Sequence, residues 1–287
     1  MGLDYHAMSF LRHVGREHAF GETVTIARQE IHLNEVVLRR LLPLRADYRH
    51  QAFCEDLLID YFGASRVDSL DFSDFEHATH IHDMNLPLPE HLWGRYDTVI
   101  DSGCIEHVYN APQALKNCSL LCREGGTIVH VLPANNFCGH GFWQFSPELF
   151  FSLYSPANGY RDTEVFVSDY VDKRRWFRVK PPSDGRRVNI LSSSELSVMV
   201  RTVRENRPFS HASVQQSDYV TEWQEAETRV TDAMAVPRGL RGAIIGSRFL
   251  HAHLFPLYHR LKRLRSVDRL SARNPGLEPV SVEELPG

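Results

Sequence analysis

Three aspartates close successive strand-like runs in the first half of the chain: Asp71 after VDSL, Asp83 after HIH, and Asp101 after YDTVI. If these runs are parallel strands, their carboxyl ends share one crevice, which is where open α/β sheets collect ligands. A carboxylate after the second strand can accept hydrogen bonds from ribose hydroxyls. Asp83 can accept from an exocyclic adenine amine while the backbone of Met84 and Asn85 reads the ring edge. The plainer uses of the same residues are helix N-caps and Asx turns.

Two histidines stand beside this series. His107 follows Glu106 in DSGCIEHV, and His140 lies between Gly139 and Gly141 in NNFCGHGFWQF. An imidazole titrates near neutral pH and can take a proton from a hydroxyl or amine, so His140 and His107 are the candidate general bases. Each reads equally as a packing or loop residue. Phe142, Trp143 and Phe145 are candidates for an apolar pocket wall. His77, His80, His82 and Asp83 show no HExxH or similar spacing, so a metal site is not expected. No CxxC pair occurs among Cys54, Cys104, Cys118, Cys122 and Cys138.

These residues need a scaffold that brings strand ends together. Residues 22–27 (ETVTIA) read as a buried strand, followed by a helix capped by Asn34 and ended at Pro43. A second helix over about 51–61 runs to Gly63. Residues 66–70, 79–82 and 96–100 read as strands, 112–122 as a helix, Gly125-Gly126 as a turn, and 127–132 as another strand. Residues 145–154 form a further helix with Ser146 as N-cap and Pro147 at its first position. Residues 163–167 and 196–201 then suggest a closing antiparallel hairpin with a long insertion between its strands. Strands alternating with helices predict an α/β fold with a doubly wound, mainly parallel sheet.

The segment YDTVIDSGCIEHVYNAPQALKNCSLLCREGGTIVHVLP resembles the fourth-to-fifth-strand core of class I S-adenosylmethionine-dependent methyltransferases. Tyr96-Asp97-Thr98-Val99, Ile105-Glu106-His107-Val108 and Glu124-Gly125-Gly126 match its pieces in order and spacing. The resemblance covers roughly residues 20–170 and implies a Rossmann-like fold, S-adenosylmethionine as cofactor, and methyl transfer to oxygen or nitrogen. It places Asp71, Asp83, Met84 and Asn85 at the nucleoside, and Asp101, Ser102 and Gly103 where the methionine end and the substrate meet. The departure is in the first loop. Where the family carries a glycine-rich cradle, this chain reads TVTIARQEIHLNE, with no glycine. Either Arg28 or Gln29 contacts the methionine carboxylate there, or the chain is a catalytically silent relative that serves as a binding or scaffold subunit.

The 287 residues, 24% charged and 43% hydrophobic, suit a globular protein. A net charge of -4 argues against nucleic acid as partner, since phosphate neutralisation needs excess Lys and Arg. A small molecule (a sugar, nucleotide-sugar or natural-product intermediate) is the expected substrate. No stretch has the apolar length of a signal peptide or spanning helix, and the odd cysteine count fits a reducing cytoplasm. Residues 1–205 read as the cofactor-binding domain and 206–287 as a mostly helical C-terminal extension with a loose last twenty residues. The basic run at 260–265 could meet an anionic membrane or an acidic partner, pack on the sheet or build a homodimer contact. Such a run is more often a solvated helix face, so a membrane is not the expected partner.

Overall fold

A computed structural model describes residues 2–183, 187–212, 214–226, 256, 260–261, 263 and 266–280. In chain order the elements are β1 (Gly2–Leu3), α1 (Tyr5–Gly15), β2 (Gly21–Ile26), β3 (Glu30–Ile31), α2 (Glu35–Leu41), α3 (Glu55–Phe62), β4 (Ala64–Asp71) and β5 (His80–Ile81). They continue with β6 (Tyr96–Ser102), α4 (Ala111–Leu121), β7 (Cys122–Asn135), α5 (Pro147–Leu153), β8 (Tyr160–Asp169), β9 (Trp176–Val179), β10 (Leu196–Arg204), α6 (Ser217–Ala226) and β11 (Leu277–Val280).

One sheet organises the molecule, in the order β11-β9-β8-β10-β7-β6-β2-β4-β5. From β7 to β5 all pairings are parallel; β10 runs antiparallel between β7 and β8. The chain moves outward from β2 through β4 to β5, then returns to the other side of β2 with β6 and β7. The switch point therefore falls between β2 and β6, and the fold is the expected Rossmann-like, doubly wound α/β sheet.

Alternation along the strands shows why both faces are covered. Val99, Ile128 and Leu132 enter one apolar cluster with α4 and α5, while Ile100, Val129 and Val131 enter the other with α1, α2 and α3. Local signals set the helix ends as expected: Asn34 and Ser146 accept from backbone N–H groups of the first turn, and Gly63 closes α3. Cys118 and Cys122 are buried thiols, and all five cysteines are free.

Four features differ from the sequence reading. Helix α1 was not anticipated, although Asp4 caps it by accepting from the Ala7 N–H and Ala7, Phe10, Leu11 and Val14 bury one face. Gly125 and Gly126 are not a turn between helix and strand, because β7 already begins at Cys122 and passes through them with a shift of register against β6. The insertion after β8 supplies β9, which pairs with both β8 and β11. β11 lies in the stretch expected to be loose, and Leu270 and Leu277 enter the core. A boundary at residue 205 is thus crossed by hydrogen-bonded pairing, because strands from the insertion and from the extension share one edge. Of the basic run at 260–265, residues 262, 264 and 265 lie outside the described residues. Among the described residues no helix is long and apolar enough to cross a membrane.

Candidate active site

β6 ends at Ser102, and the next residues turn sharply because the chain must leave the sheet edge. Gly103 adopts φ +74°, and its N–H donates to the Val131 carbonyl at 3.0 Å. A short 3-10 turn, Ile105–His107, then leads to α4. Asp101 holds this turn from beneath: its Oδ1 accepts from the Cys104 and Ile105 N–H groups at 3.2 and 3.3 Å. Its Oδ2 lies 2.8 Å from His130 Nδ1, and His130 Nε2 lies 2.7 Å from the Tyr154 hydroxyl. Asp101 and His130 are wholly buried. Asp101 therefore faces the interior and positions the turn by hydrogen bonding, while the turn's own residues face the crevice.

Above that turn lies a cavity of about 420 Å³ at the carboxyl ends of β6 and β7. Gly103, Glu106, His107, Phe137, His140 and Tyr170 are on its wall. The loop that carries His140 is pinned to the 3-10 turn: the Phe142 and Trp143 N–H groups donate to the Glu106 carbonyl at 2.7 and 3.2 Å, and Trp143 Nε1 donates to the Val108 carbonyl. Gly141 makes this approach feasible. It has φ +66°, and a Cβ there would come within 2.9 Å of the Glu106 carbonyl oxygen.

The result is a cluster of three side chains. The His107 and His140 rings meet at 4.9 Å in a T-shaped contact. Glu106 Oε1 lies 3.4 Å from His140 Nε2 and 3.9 Å from His107 Nε2. Glu106 is 1% exposed, its Oε2 has no hydrogen-bond partner among the described residues, and burial followed by the charge of Asp101 pushes its carboxyl up to about 8. His107 is pulled below the ordinary imidazole range, by burial first and the neighbouring His140 second.

The structure brings together His107, His140 and Gly103 of the expected site residues. Ser102 is also on the cavity wall, but its hydroxyl is spent on the Gly2 carbonyl at 3.1 Å. Asp71 ends β4; its Oδ1 accepts from the Ser73 N–H. Asp83 closes an Asx turn, its Oδ1 accepting from the Asn85 backbone N–H at 2.9 Å and side-chain amide at 2.7 Å. Asn85 Oδ1 accepts in turn from the Asn110 N–H, and Met84 is buried. Arg28 donates to Glu55 Oε1 at 2.6 Å and to the Glu76 carbonyl at 2.7 Å, and its guanidinium lies 4.0 Å over Phe53. Gln29 is fully buried, with its amide donating to the Ile26 carbonyl and its Oε1 unpartnered among the described residues.

The glycine-free loop is therefore built inward, stitched by β3 to β1 and by the Cys54 N–H to the Gln29 carbonyl. For S-adenosylmethionine the residues present fit in part. Gly103 leaves the backbone bare at the end of β6, and Asp71 keeps one carboxylate oxygen without a hydrogen-bond partner among the described residues, whereas Arg28 and Gln29 are committed to the protein. His77, His80 and His82 do not converge: His80 lies 2.9 Å from the Tyr96 hydroxyl, His82 faces the Leu86 carbonyl, and His77 is exposed. Of the expected apolar wall, Phe145 is in the core and Phe142 is 71% exposed; Phe137 and Tyr170 take that place. Sequence reasoning also missed His130, and Glu106 as a participating side chain. The Glu-His pair was legible, but its convergence with a loop beyond β7 was not.

No family model matches the chain, and no curated protein matches it. Solved structures that match in part include the 1,6-didemethyltoxoflavin N1-methyltransferase of Burkholderia thailandensis, with bound 1,6-didemethyltoxoflavin and S-adenosylhomocysteine (12% identity, 71% of this chain and 78% of that one, TM-score 0.37). The N-methyltransferase NodS of Bradyrhizobium japonicum is another (11% identity, 70% and 94%, TM-score 0.37). A Rhodobacter sphaeroides chain classed with zinc-dependent alcohol dehydrogenases is a third (16% identity, 53% and 58%, TM-score 0.27).

Proposed function

We propose that this protein is an S-adenosylmethionine-dependent methyltransferase acting on oxygen or nitrogen of a small polar molecule, with a sugar, nucleotide-sugar or natural-product intermediate as the expected class. The observation that carries the reading is the cavity at the carboxyl ends of β6 and β7, walled by His107 and His140 and set beside the sheet's switch point. When bound, the cofactor supplies an electrophilic methyl group. The chain's own residues then have three tasks.

The first is to hold the nucleoside, for which Asp71 offers a carboxylate to ribose hydroxyls; the Asn85 N–H and the Asn85 and Met84 carbonyls are already taken by Asp83, Asn110 and Asn117. The second is alignment, since in-line displacement depends chiefly on placing the nucleophile. Phe137 and Tyr170, in a T-shaped contact at 5.6 Å, make a rigid wall for this. The third is removal of a proton when the nucleophile carries one, for which Nε2 of His140 or His107 is the acceptor in reach of the cavity. The five free thiols suit a reducing, cytoplasmic compartment.

The commitments of Arg28 and Gln29 favour a second reading, a catalytically silent binding subunit. Calorimetric titration with S-adenosylmethionine and S-adenosylhomocysteine separates the two. Micromolar binding of either is expected from the enzyme; absence of both, in folded protein, favours the silent subunit.

A further inference from the structure

Glu106, His107 and His140 present two imidazole nitrogens and one carboxylate oxygen, all within 4.8 Å of one another. We propose that these three side chains form a binding site for one divalent transition-metal cation on the wall of the cavity. The donor set is of the kind that zinc and other first-row cations take in open sites, three protein ligands with the remaining positions free. Those positions face the 420 Å³ space, where an oxygen of a substrate would complete the shell.

The spacing supports the assignment. Bonds of about 2.0–2.1 Å in a tetrahedral shell put neighbouring donor atoms about 3.3 Å apart. His140 Nε2 and Glu106 Oε1 are already at 3.4 Å, and His107 Nε2 is 3.9 Å from the same oxygen. The third pair, His107 and His140, has its donor atoms within 4.8 Å, so the two imidazoles must close further to complete the shell.

An independent observation points to a missing partner. Glu106 is 1% exposed, yet Oε2 makes no hydrogen bond among the described residues. A buried carboxyl group with one oxygen unpartnered is costly, and a cation bridged by both oxygens, with Oε1 beside the imidazoles, supplies what the protein does not. The surroundings are also built to hold the ligands in place. The Glu106 carbonyl receives two N–H groups from the His140 loop, and Asp101 pins the turn that carries Glu106 and His107. Outer contacts of this kind orient ligands at metal sites.

The proposal is independent of the methyl-transfer reading. It does change the division of labour, because an Nε2 that holds a cation accepts no proton. A coordinated substrate hydroxyl would then be acidified by the metal.

The test uses the full chain, stripped with a chelator and titrated calorimetrically with Zn²⁺, with Mg²⁺ as a hard-cation control; Co²⁺ absorption reports the coordination geometry. The expected result is one Zn²⁺ per chain, a Co²⁺ spectrum with d–d bands, and weaker Mg²⁺ binding. Affinity for Zn²⁺ should fall at least about tenfold in Glu106→Gln and about a hundredfold in His107→Ala or His140→Ala. His77→Ala, remote and exposed, should leave it unchanged. Glu106→Gln and His140→Gln preserve shape, and circular dichroism checks folding in every variant. Absence of saturable binding in the folded protein overturns the proposal, as does unaltered affinity in both conservative variants. Zinc binding without S-adenosylmethionine binding would keep this site and remove the methyl-transfer reading; the converse would do the opposite.

Discussion

Asp101 and His130 stand opposite each other on neighbouring parallel strands, with Asp101 Oδ2 2.8 Å from His130 Nδ1 and neither side chain exposed. The pair joins β6 to β7, and through Tyr154 it reaches α5, so one hydrogen-bonded chain links the floor of the cavity to the helix layer below it. Asp101 also accepts two N–H groups from the turn before Glu106, which makes the carboxylate a positioning residue for the cluster above.

Replacing Asp101 by alanine leaves His130 and two N–H groups without their acceptor. We expect a loss of about 3–5 kcal/mol of stability in urea denaturation, as for other buried charge-assisted networks with one member removed. A variant as stable as the parent would show that the turn is held by packing alone.

Asp71→Ala tests the proposed nucleoside contact. Removal of charge-assisted hydrogen bonds to ribose hydroxyls should weaken S-adenosylhomocysteine binding by roughly 1–3 kcal/mol, with the melting temperature little changed because Asp71 is only partly buried. Unaltered calorimetric affinity would take Asp71 out of the site.

Arg28→Ala should act on stability. The guanidinium joins Glu55 on α3 to the Glu76 carbonyl and covers Phe53, so its truncation costs packing as well as hydrogen bonds. A loss of about 1–3 kcal/mol is expected. Cofactor binding abolished at unchanged stability would instead assign Arg28 to the ligand.

His211 sets a pH dependence. Its Nε2 lies 2.9 Å from the Tyr160 hydroxyl and 3.0 Å from Ser119 Oγ, and burial, then the charge of Lys116, lowers its pKa to about 4. An unfolded chain would protonate it near the ordinary value of about 6.5. The folded state binds its proton less readily, so this contribution is complete above about pH 6.5, declines as pH falls toward 4, and is level below that. Melting curves between those limits should show a steeper acid loss for the parent than for His211→Gln. Parallel curves would mean that His211 titrates alike in both states.

Local patterns fixed a good part of this molecule before any tertiary contact was considered. Apolar runs such as TVTI and TIVHVL determine strands, because alternate residues must find cover on both faces. Asn34, Ser146 and Gly63 determine helix ends, because they satisfy or terminate backbone groups within a turn of their own position. Asp71, Asp83 and Asp101 at run ends followed from the same reading. The tertiary structure alone decided what each does: Asp101 turns inward because His130 lies across the ladder, and Asp83 spends Oδ1 on Asn85. It alone brought Glu106 and His107 to His140, since their meeting depends on the order of β6 and β7 and on a glycine that lets two backbones approach. β11 is the same kind of fact, a short segment whose strand exists only because β9 offers an edge. Hydrophobic period and capping are properties of neighbours in sequence; convergence of polar groups is a property of neighbours in space.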